Sequence, residues 1–294
     1  VKMILFLGVL FLLYQQINGI EGSQWSAFHL EYPSILVLSV LLVFVNHYFA
    51  YLKWKVTLET IAIPSTNTIR LQSFFAGLVT GMVTPNMIGN FIGRFYYFDR
   101  KDRAQITLFT LMSNFSQFLA SLTFGWISIL ALGGLLFLEN ENKVIVFIGI
   151  LGLFAYLVFF FVENFLMRFK KKTYSKEFKR ILTLNKSYRF KILFLSGLRF
   201  IIFTTQFSFL LIAFGEKVDS LVVLAIWQVY IVTMIIPSLF LGKIGIKESL
   251  ALLILGALGI NEFSILFTSL FIWLINSMLP AAFGLLVCRK TKSA

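Results

Sequence analysis

Residues 84–94 read TPNMIGNFIGR and residues 236–248 read IPSLFLGKIGIKE, two stretches of closely similar design. Each places a proline, two glycines and a charged residue within strongly apolar surroundings. Proline lacks a backbone donor and glycine permits turns that other residues avoid, so each stretch predicts a break in an apolar helix. The fold has to explain why one chain breaks twice in nearly the same way.

The composition around these breaks is that of an integral membrane protein. Of 294 residues, 59% are hydrophobic and only 13% are charged, and the mean hydropathy is +0.87. Soluble domains are about half apolar and about one quarter charged, so this composition cannot form a soluble surface. Apolar runs long enough to cross a bilayer recur along the chain, whereas the alternating strands of a β-barrel are absent from the sequence. We therefore predict an all-α polytopic membrane protein.

The net charge of +13 fits basic loops on one membrane face better than a nucleic-acid surface. A single cysteine, Cys288, excludes an internal disulfide. The two histidines, His29 and His47, are far apart in sequence and do not form a metal site by themselves. We therefore expect no metal, no cofactor, no catalytic residue and no nucleic-acid partner.

Six spanning helices are expected, at about residues 3–20, 34–54, 105–135, 143–166, 192–214 and 263–287. The first of them resembles the core of a signal peptide, but no cleavage site of small residues follows it. The two breaks lie within residues 71–98 and 219–260. Residues 168–191 contain ten Lys or Arg and predict a basic loop.

The distribution of basic residues sets the expected topology. They fall on one side of the membrane only if both broken stretches return to the side from which they entered, so we predict two re-entrant helix hairpins. Lys53 is counted among these basic residues at the membrane edge, and Trp54 beside it is expected to be an interfacial anchor. The helix order then repeats with opposite orientation, giving a single transmembrane domain, 1–294, built as an inverted repeat of residues 1–138 and 139–294. Both termini and the basic loop are placed in the cytoplasm.

The breaks predict a polar cavity inside the protein. Broken backbone at membrane depth must be buried in protein or line a wet cavity. A helix that starts after such a break points its N-terminus at the cavity, where backbone N–H groups favour an anion such as phosphate. Arg94, Arg199, Lys247 and Glu248 are candidate site residues because an ionisable side chain within a membrane segment is costly. The alternative is that these side chains extend to the interface or pair with one another.

At these two motifs the sequence resembles the membrane region of lysylphosphatidylglycerol synthetases, a group also called flippase-like integral membrane proteins. Their motifs have the forms P-x3-G-E-x3-R and P-x-G-x-x-G-x-[RK]-E, which TPNMIGNFIGR and IPSLFLGKIGIKE match in position and order. The stretch NHYFAYLKWK also resembles the Asn-to-Arg-Trp stretch of those proteins. The resemblance covers nearly the whole chain.

The resemblance implies that the chain moves a lipid between membrane leaflets. By motif, the implied substrate-binding residues are Pro85, Gly89, Asn90 and Arg94 at the first break and Pro237, Gly242, Gly245, Lys247 and Glu248 at the second, to which the intramembrane Arg199 is added. Asn90 stands where the family carries an acid, so a lysine-bearing lipid is not the expected substrate. The resemblance is to the membrane region alone, so synthesis of that lipid is not expected.

The leading hypothesis is a flippase or transporter for an anionic phospholipid or a polyprenyl-phosphate-linked lipid, bound between the two breaks. The nucleotide-binding motif G-x4-G-K-[ST] is absent from the sequence, so no encoded ATPase is expected. A membrane-embedded lipid-modifying transferase and a non-transporting partner subunit are the alternatives. The expected location is a bacterial cytoplasmic membrane, and a homo-oligomer is left open.

Overall fold

A computed structural model describes residues 29–84, 87–136, 142–169, 186–236 and 245–288, with the side chains of 142–144 and 162–169 outside the description. Within these ranges all regular structure is helical. The helices are α1 Pro33–Ile61, α2 Asn67–Met82, α3 Asn90–Phe95, α4 Arg100–Leu132, α5 Asn142–Phe169, α6 Lys186–Ala213, α7 Ser220–Ile235, α8 Ile246–Gly256, α9 Glu262–Trp273 and α10 Leu279–Val287. A π-helical turn, Leu274–Met278, joins α9 to α10 without interruption.

Four helical segments of the described chain are long and apolar enough to cross a membrane: α1, α4, α6 and the continuous α9–α10 unit. Shorter apolar segments, Ile145–Phe161 and Ser220–Ile235, lie in α5 and α7. The predicted all-helical, multi-pass architecture is therefore confirmed at this level. The expected first helix, residues 3–20, lies outside the described residues.

The end of α1 differs from the prediction. The helix runs to Ile61, well beyond residue 54, so the LKWK stretch lies within it. Lys53 is only 5% exposed and Trp54 is 1% exposed. The placement of Lys53 at a membrane edge and of Trp54 as an interfacial anchor was therefore wrong, because α1 continues and turns both side chains toward α2, α4 and α6. The basic loop is also shorter than predicted, since α5 extends to Phe169 and α6 begins at Lys186.

The first break is closed by two threonines, Thr80 within α2 and Thr84 just after its end. The Thr80 hydroxyl lies 2.6 Å from the carbonyl oxygen of Gly89, and the Gly89 N–H donates to the Thr84 hydroxyl at 2.7 Å. A Cβ atom on Gly89 or Gly93 would collide with backbone carbonyls of α2, so glycine allows α2 and α3 to pack backbone to backbone. The result is an antiparallel helix pair that carries Arg94 on its inner face.

The second break separates α7 from α8. Residues 237–244, which include Pro237 and Gly242, lie outside the described residues, as does Pro85 of the first break. The chain re-enters the description at Gly245, whose φ of +85° is a left-handed conformation that favours glycine. Its N–H donates to Glu248 Oε2 at 2.7 Å, which caps the start of α8.

The helices pack in two corresponding sets around a central pair. The central pair is α1 with α6. On one side α2 packs against α3 and α10, and on the other α7 packs against α8 and α4. One apolar cluster joins α6, α7, α8 and α9, and a second joins α1, α2, α4 and α6. Helix α6 of the central pair therefore belongs to both halves of the core.

We expect Gly93→Ala to destabilise the protein by about 1–3 kcal/mol, because the added methyl group overpacks the α2–α3 contact. The matched control is Gly256→Ala, which adds the same methyl group to α8 with nothing within 4 Å of it. The control should be neutral or stabilising by up to about 1 kcal/mol, since alanine is the better helix former. Thermal unfolding of the two variants in detergent tests this difference, and equal midpoints would contradict the close α2–α3 contact.

Candidate anion-binding site

Three positively charged side chains from three helices meet inside the described core: Lys53 of α1, Arg94 of α3 and Arg199 of α6. Lys53 and Arg94 are 5% and 7% exposed. Lys53 bonds to Ser196, which lies one turn before Arg199 on α6, and Arg94 stacks on Trp54, the residue after Lys53 on α1, so the three charges lie near one another. Burial of like charges is costly unless opposite charge or hydrogen bonding compensates it.

Lys53 is held by neutral oxygen atoms of two neighbouring helices. Its Nζ donates to the backbone carbonyl of Ser113 in α4 at 2.8 Å and to the hydroxyl of Ser196 in α6 at 2.9 Å. The Ser196 hydroxyl also lies 2.9 Å from that of Ser116. These contacts join α1, α4 and α6 at one point, but they supply no negative charge to the ammonium group.

Among the described residues, Arg199 is also bonded to neutral groups only. Its Nε donates to Asn46 Oδ1 at 3.2 Å and its Nη1 donates to Gln117 Oε1 at 3.3 Å. The residue lies thirteen positions after Lys186, or about 20 Å along α6 at about 1.5 Å per residue. Its hydrogen bonds therefore point across the helix bundle, to α1 and α4.

Arg94 is placed over an aromatic ring rather than beside an acid. Its guanidinium lies 4.6 Å from the ring centroid of Trp54, whose Nε1 is fixed by a 3.0 Å hydrogen bond to the Ser73 hydroxyl. The Arg94 stem crosses Gly77, where an added Cβ would lie 2.8 Å from Cγ. The buried Nε of Arg94 and the Oδ1 of Asn90 have no hydrogen-bond partner among the described residues. Within the described chain, Arg94 is thus oriented by stacking on Trp54.

No described carboxylate neutralises this group of cations. Ion pairs among the described side chains occur elsewhere, in Lys55–Glu59, Arg70–Glu59, Lys101–Asp99 and Lys247–Glu248. The cluster formed by Lys53, Arg94 and Arg199, which we call the cation cluster, is therefore uncompensated within the described part of the chain. Arginine and lysine donors converging in a water-poor site are suited to binding an anion such as phosphate.

A chain of polar side chains continues from the cation cluster along α1 and α6. Asn46, which accepts from Arg199, donates to Asn276 Oδ1 at 2.9 Å. Asn276 donates to Gln206 Oε1 at 2.9 Å, and Gln206 donates to the carbonyl of Ser39 at 2.9 Å. Asn276 lies in the π-helical turn, a feature often found at functional sites. The turn lies where Pro280 cannot donate to the carbonyl four residues earlier.

The second motif has a different electrostatic character. Lys247 donates to the carbonyl of Ser269 at 2.7 Å and lies 3.8 Å from Glu248 Oε1. Glu248 is fully buried, and its carboxylate accepts a hydrogen bond from the Gly245 N–H. This pair is internally balanced, and no described contact joins it to the cation cluster.

The helix N-termini after the breaks are engaged by the chain itself. The N–H of Gly89 bonds to Thr84, and α3 has only six residues. The N–H of Gly245 bonds to the Glu248 carboxylate, which takes the position expected for a bound anion. The described structure therefore places the free positive charge on side chains and not on these helix ends.

Of the predicted site residues, the structure brings Asn90, Arg94 and Arg199 to the cation cluster, with Gly89 beside them. Gly245, Lys247 and Glu248 form the separate cap and ion pair, and Pro85, Pro237 and Gly242 lie outside the described residues. Sequence reasoning missed Lys53 as a site residue. The sequence feature that could have identified Lys53 is the seven-residue spacing of Ser39, Asn46 and Lys53, which places three polar residues on one face of α1.

A protein-family model described as the lysylphosphatidylglycerol synthase TM region matches residues 1–284. The comparisons with curated proteins and with solved structures give no match. The matched region includes both break motifs and every residue of the cation cluster.

We expect Lys53→Met to raise the stability of the lipid-free protein by about 1 kcal/mol, because it removes a buried charge that lies near two like charges and keeps the length of the side chain. The matched control is Lys55→Met, two residues away on α1, which removes an exposed lysine 4.0 Å from Glu59. The control should lose at most about 0.5 kcal/mol. Thermal unfolding in detergent measures both variants, and a clear loss of stability in Lys53→Met would show that the Lys53 charge is already compensated.

Proposed function

Since the chain belongs to the lysylphosphatidylglycerol synthase TM-region family, we propose that it moves an anionic membrane lipid between leaflets and binds the head group at the cation cluster. The chain is a multi-pass membrane protein of a family associated with lipids. The observation that carries the proposal is the burial of Lys53 and Arg94, with the partly buried Arg199 near them and no described carboxylate beside the three. A phosphate group would supply the missing negative charge.

The packing supports an inverted repeat with two re-entrant hairpins. A two-fold relation would exchange α1 with α6, α2 with α7, α3 with α8, and α4 with the α9–α10 unit. This relation maps the contact between α2 and α10 onto the contact between α7 and α4. It also maps the hairpin α2–α3 onto α7–α8. In this proposal the hairpins rock against the central α1–α6 pair and expose the cation cluster to each leaflet in turn. Both termini and the basic segment then lie in the cytoplasm of a bacterial cell.

A groove between α1, α2 and α10 provides a route for the lipid tails. It encloses about 520 Å³ and is lined by Tyr48, Tyr51, Leu52, Lys55, Asn67, Thr68, Leu71, Gln72 and Val287. Tyr51 contacts Phe74 of α2, and Trp54, on which Arg94 stacks, lies one turn further along α1. We propose that acyl or polyprenyl tails remain in this groove, in contact with the bilayer, while the head group reaches Arg94.

The transferase alternative requires an acid or a metal site close to the head group. No group of three or more His, Cys, Asp or Glu residues suited to a metal lies in the described part of the chain. Glu248, the buried acid nearest to a break, accepts from Gly245 and pairs with Lys247. The geometry therefore favours lipid movement over lipid chemistry.

The test is a dithionite assay in liposomes that contain the protein and fluorescent phospholipids with different head groups. The wild type should carry inner-leaflet anionic lipid to the outer leaflet, so that the protected fluorescence is lost. Arg94→Gln and Arg199→Gln should each slow this loss at least about tenfold, since a hydrogen bond to a charged group contributes about 1.5–3 kcal/mol.

Lys101→Gln is the control, because Lys101 is exposed at the start of α4, lies outside the cation cluster and the groove, and should transport like the wild type. Size-exclusion profiles confirm that each variant is folded. Equal transport by wild type and both arginine variants would contradict the proposed site. Mass spectrometry of the same liposomes detects the transferase alternative as a chemically modified lipid.

A further inference from the structure

The total charge of the cation cluster indicates how many negative charges its anionic ligand carries. Lys53, Arg94 and Arg199 bring three positive charges, and their described hydrogen bonds go to neutral oxygen atoms of Ser113, Ser196, Asn46 and Gln117. A phosphodiester, the linkage of common phospholipids, brings one negative charge. A phosphate monoester carries close to two near pH 7 and offers three strong acceptor oxygens. The monoester therefore leaves less uncompensated positive charge inside the protein.

We propose that the lipid recognised by the cation cluster ends in a phosphate monoester, and that phosphodiester lipids are poor ligands. The proposal rests on the proposed function, since it names the substrate class of the same site. Phosphatidic acid and polyprenyl phosphate share this terminal group. Their tails differ, and the groove between α1, α2 and α10 contacts that part of the lipid.

The free donors fit a terminal phosphate. The Arg94 guanidinium makes no hydrogen bond to a described residue, so within the described part of the chain its five N–H donors have no partner, and Trp54 holds its plane. Arg199 uses Nε and Nη1 and keeps Nη2, and Lys53 keeps one of its three protons. Arg94, Arg199 and Lys53 therefore each keep at least one donor for the three oxygens of a terminal phosphate. A diester offers only two non-bridging oxygens to the same donors.

The surroundings of Arg94 do not favour a head group that carries an amine. The neighbouring polar side chain is the amide of Asn90, whose Oδ1 lies 2.7 Å from the position of a Cβ built on Gly77, where Arg94 Nε is 2.9 Å away. An amide does not neutralise an ammonium group. An amine-bearing head group would therefore add positive charge to a site that already has an excess of it.

The experiment measures lipid binding by the full chain in detergent, from the shift of the thermal unfolding midpoint with ligand concentration. The ligands are dioleoyl phosphatidic acid, dioleoyl phosphatidylglycerol, a polyprenyl phosphate and inorganic phosphate. We expect at least one of the two monoester lipids to have a Kd at least tenfold below that of phosphatidylglycerol. Equal Kd values for phosphatidic acid, polyprenyl phosphate and phosphatidylglycerol would overturn the proposal. A Kd for inorganic phosphate equal to that of the monoester lipids would also overturn it, because it would indicate a site for a soluble anion.

The pH dependence on wild-type protein provides a test that needs no variant. The second proton of a phosphate monoester leaves near pH 6, so monoester affinity should rise between pH 5 and pH 8 while diester affinity stays flat. A flat profile for the monoester would also overturn the proposal. Lys53→Met should lose most of the preference for the monoester, whereas Lys101→Met, at an exposed lysine outside the cation cluster and the groove, should keep it.

The outcomes separate this inference from the proposed function. Transport of phosphatidylglycerol in liposomes, with no preference for the monoester, would contradict the inference about the head group but support the proposed lipid movement. Tight, pH-dependent monoester binding without transport of any lipid would keep the substrate class and remove the transporter.

Discussion

An ammonium group buried among membrane helices needs acceptors on every side, and the arrangement of the core follows from how Lys53 obtains them. Within a bilayer, apolar helix surfaces gain little from leaving lipid for protein, so polar bonds and close packing determine which helices associate. Lys53 links α1 to a carbonyl of α4 and to a hydroxyl of α6. The polar chain through Asn46, Asn276 and Gln206 extends the same contact along the bundle. The central α1–α6 pair is thus joined by hydrogen bonds along much of its length.

The same arrangement carries a cost in stability. Neutral acceptors orient Lys53 and Arg199, and the face of Trp54 orients Arg94, but none of these contacts cancels the mutual repulsion. Sites that sacrifice stability in this way are common where a ligand supplies the missing interaction. The balanced pair of Lys247 and Glu248 is the opposite case, since its charges cancel and its carboxylate caps a helix. The two similar sequence motifs therefore make different electrostatic contributions.

Hydrophobic runs were sufficient to predict an all-helical membrane protein, and the proline and glycine motifs correctly marked the gaps between α2 and α3 and between α7 and α8. The end of α1 could not be predicted, because counting basic residues cannot distinguish a lysine in water from one facing other helices. Arg94 and Arg199 were identified as intramembrane charges. Lys53 was missed because its partners, Ser113 and Ser196, lie on helices far away in sequence.

The π-helical turn constrains how α10 can move. It holds its residues in a wider turn than an α-helix, so conversion to α-helix would rotate α10 by about 100° and advance it by about 1.5 Å. Gly284 faces α2, where an added Cβ would lie 2.9 Å from Val79 Cγ2, and rotation would bring a neighbouring Phe283 or Leu285 to that contact. Neither side chain fits there unless α2 retreats. A change of register in α10 therefore requires that the α2–α3 hairpin, which carries Arg94, be displaced.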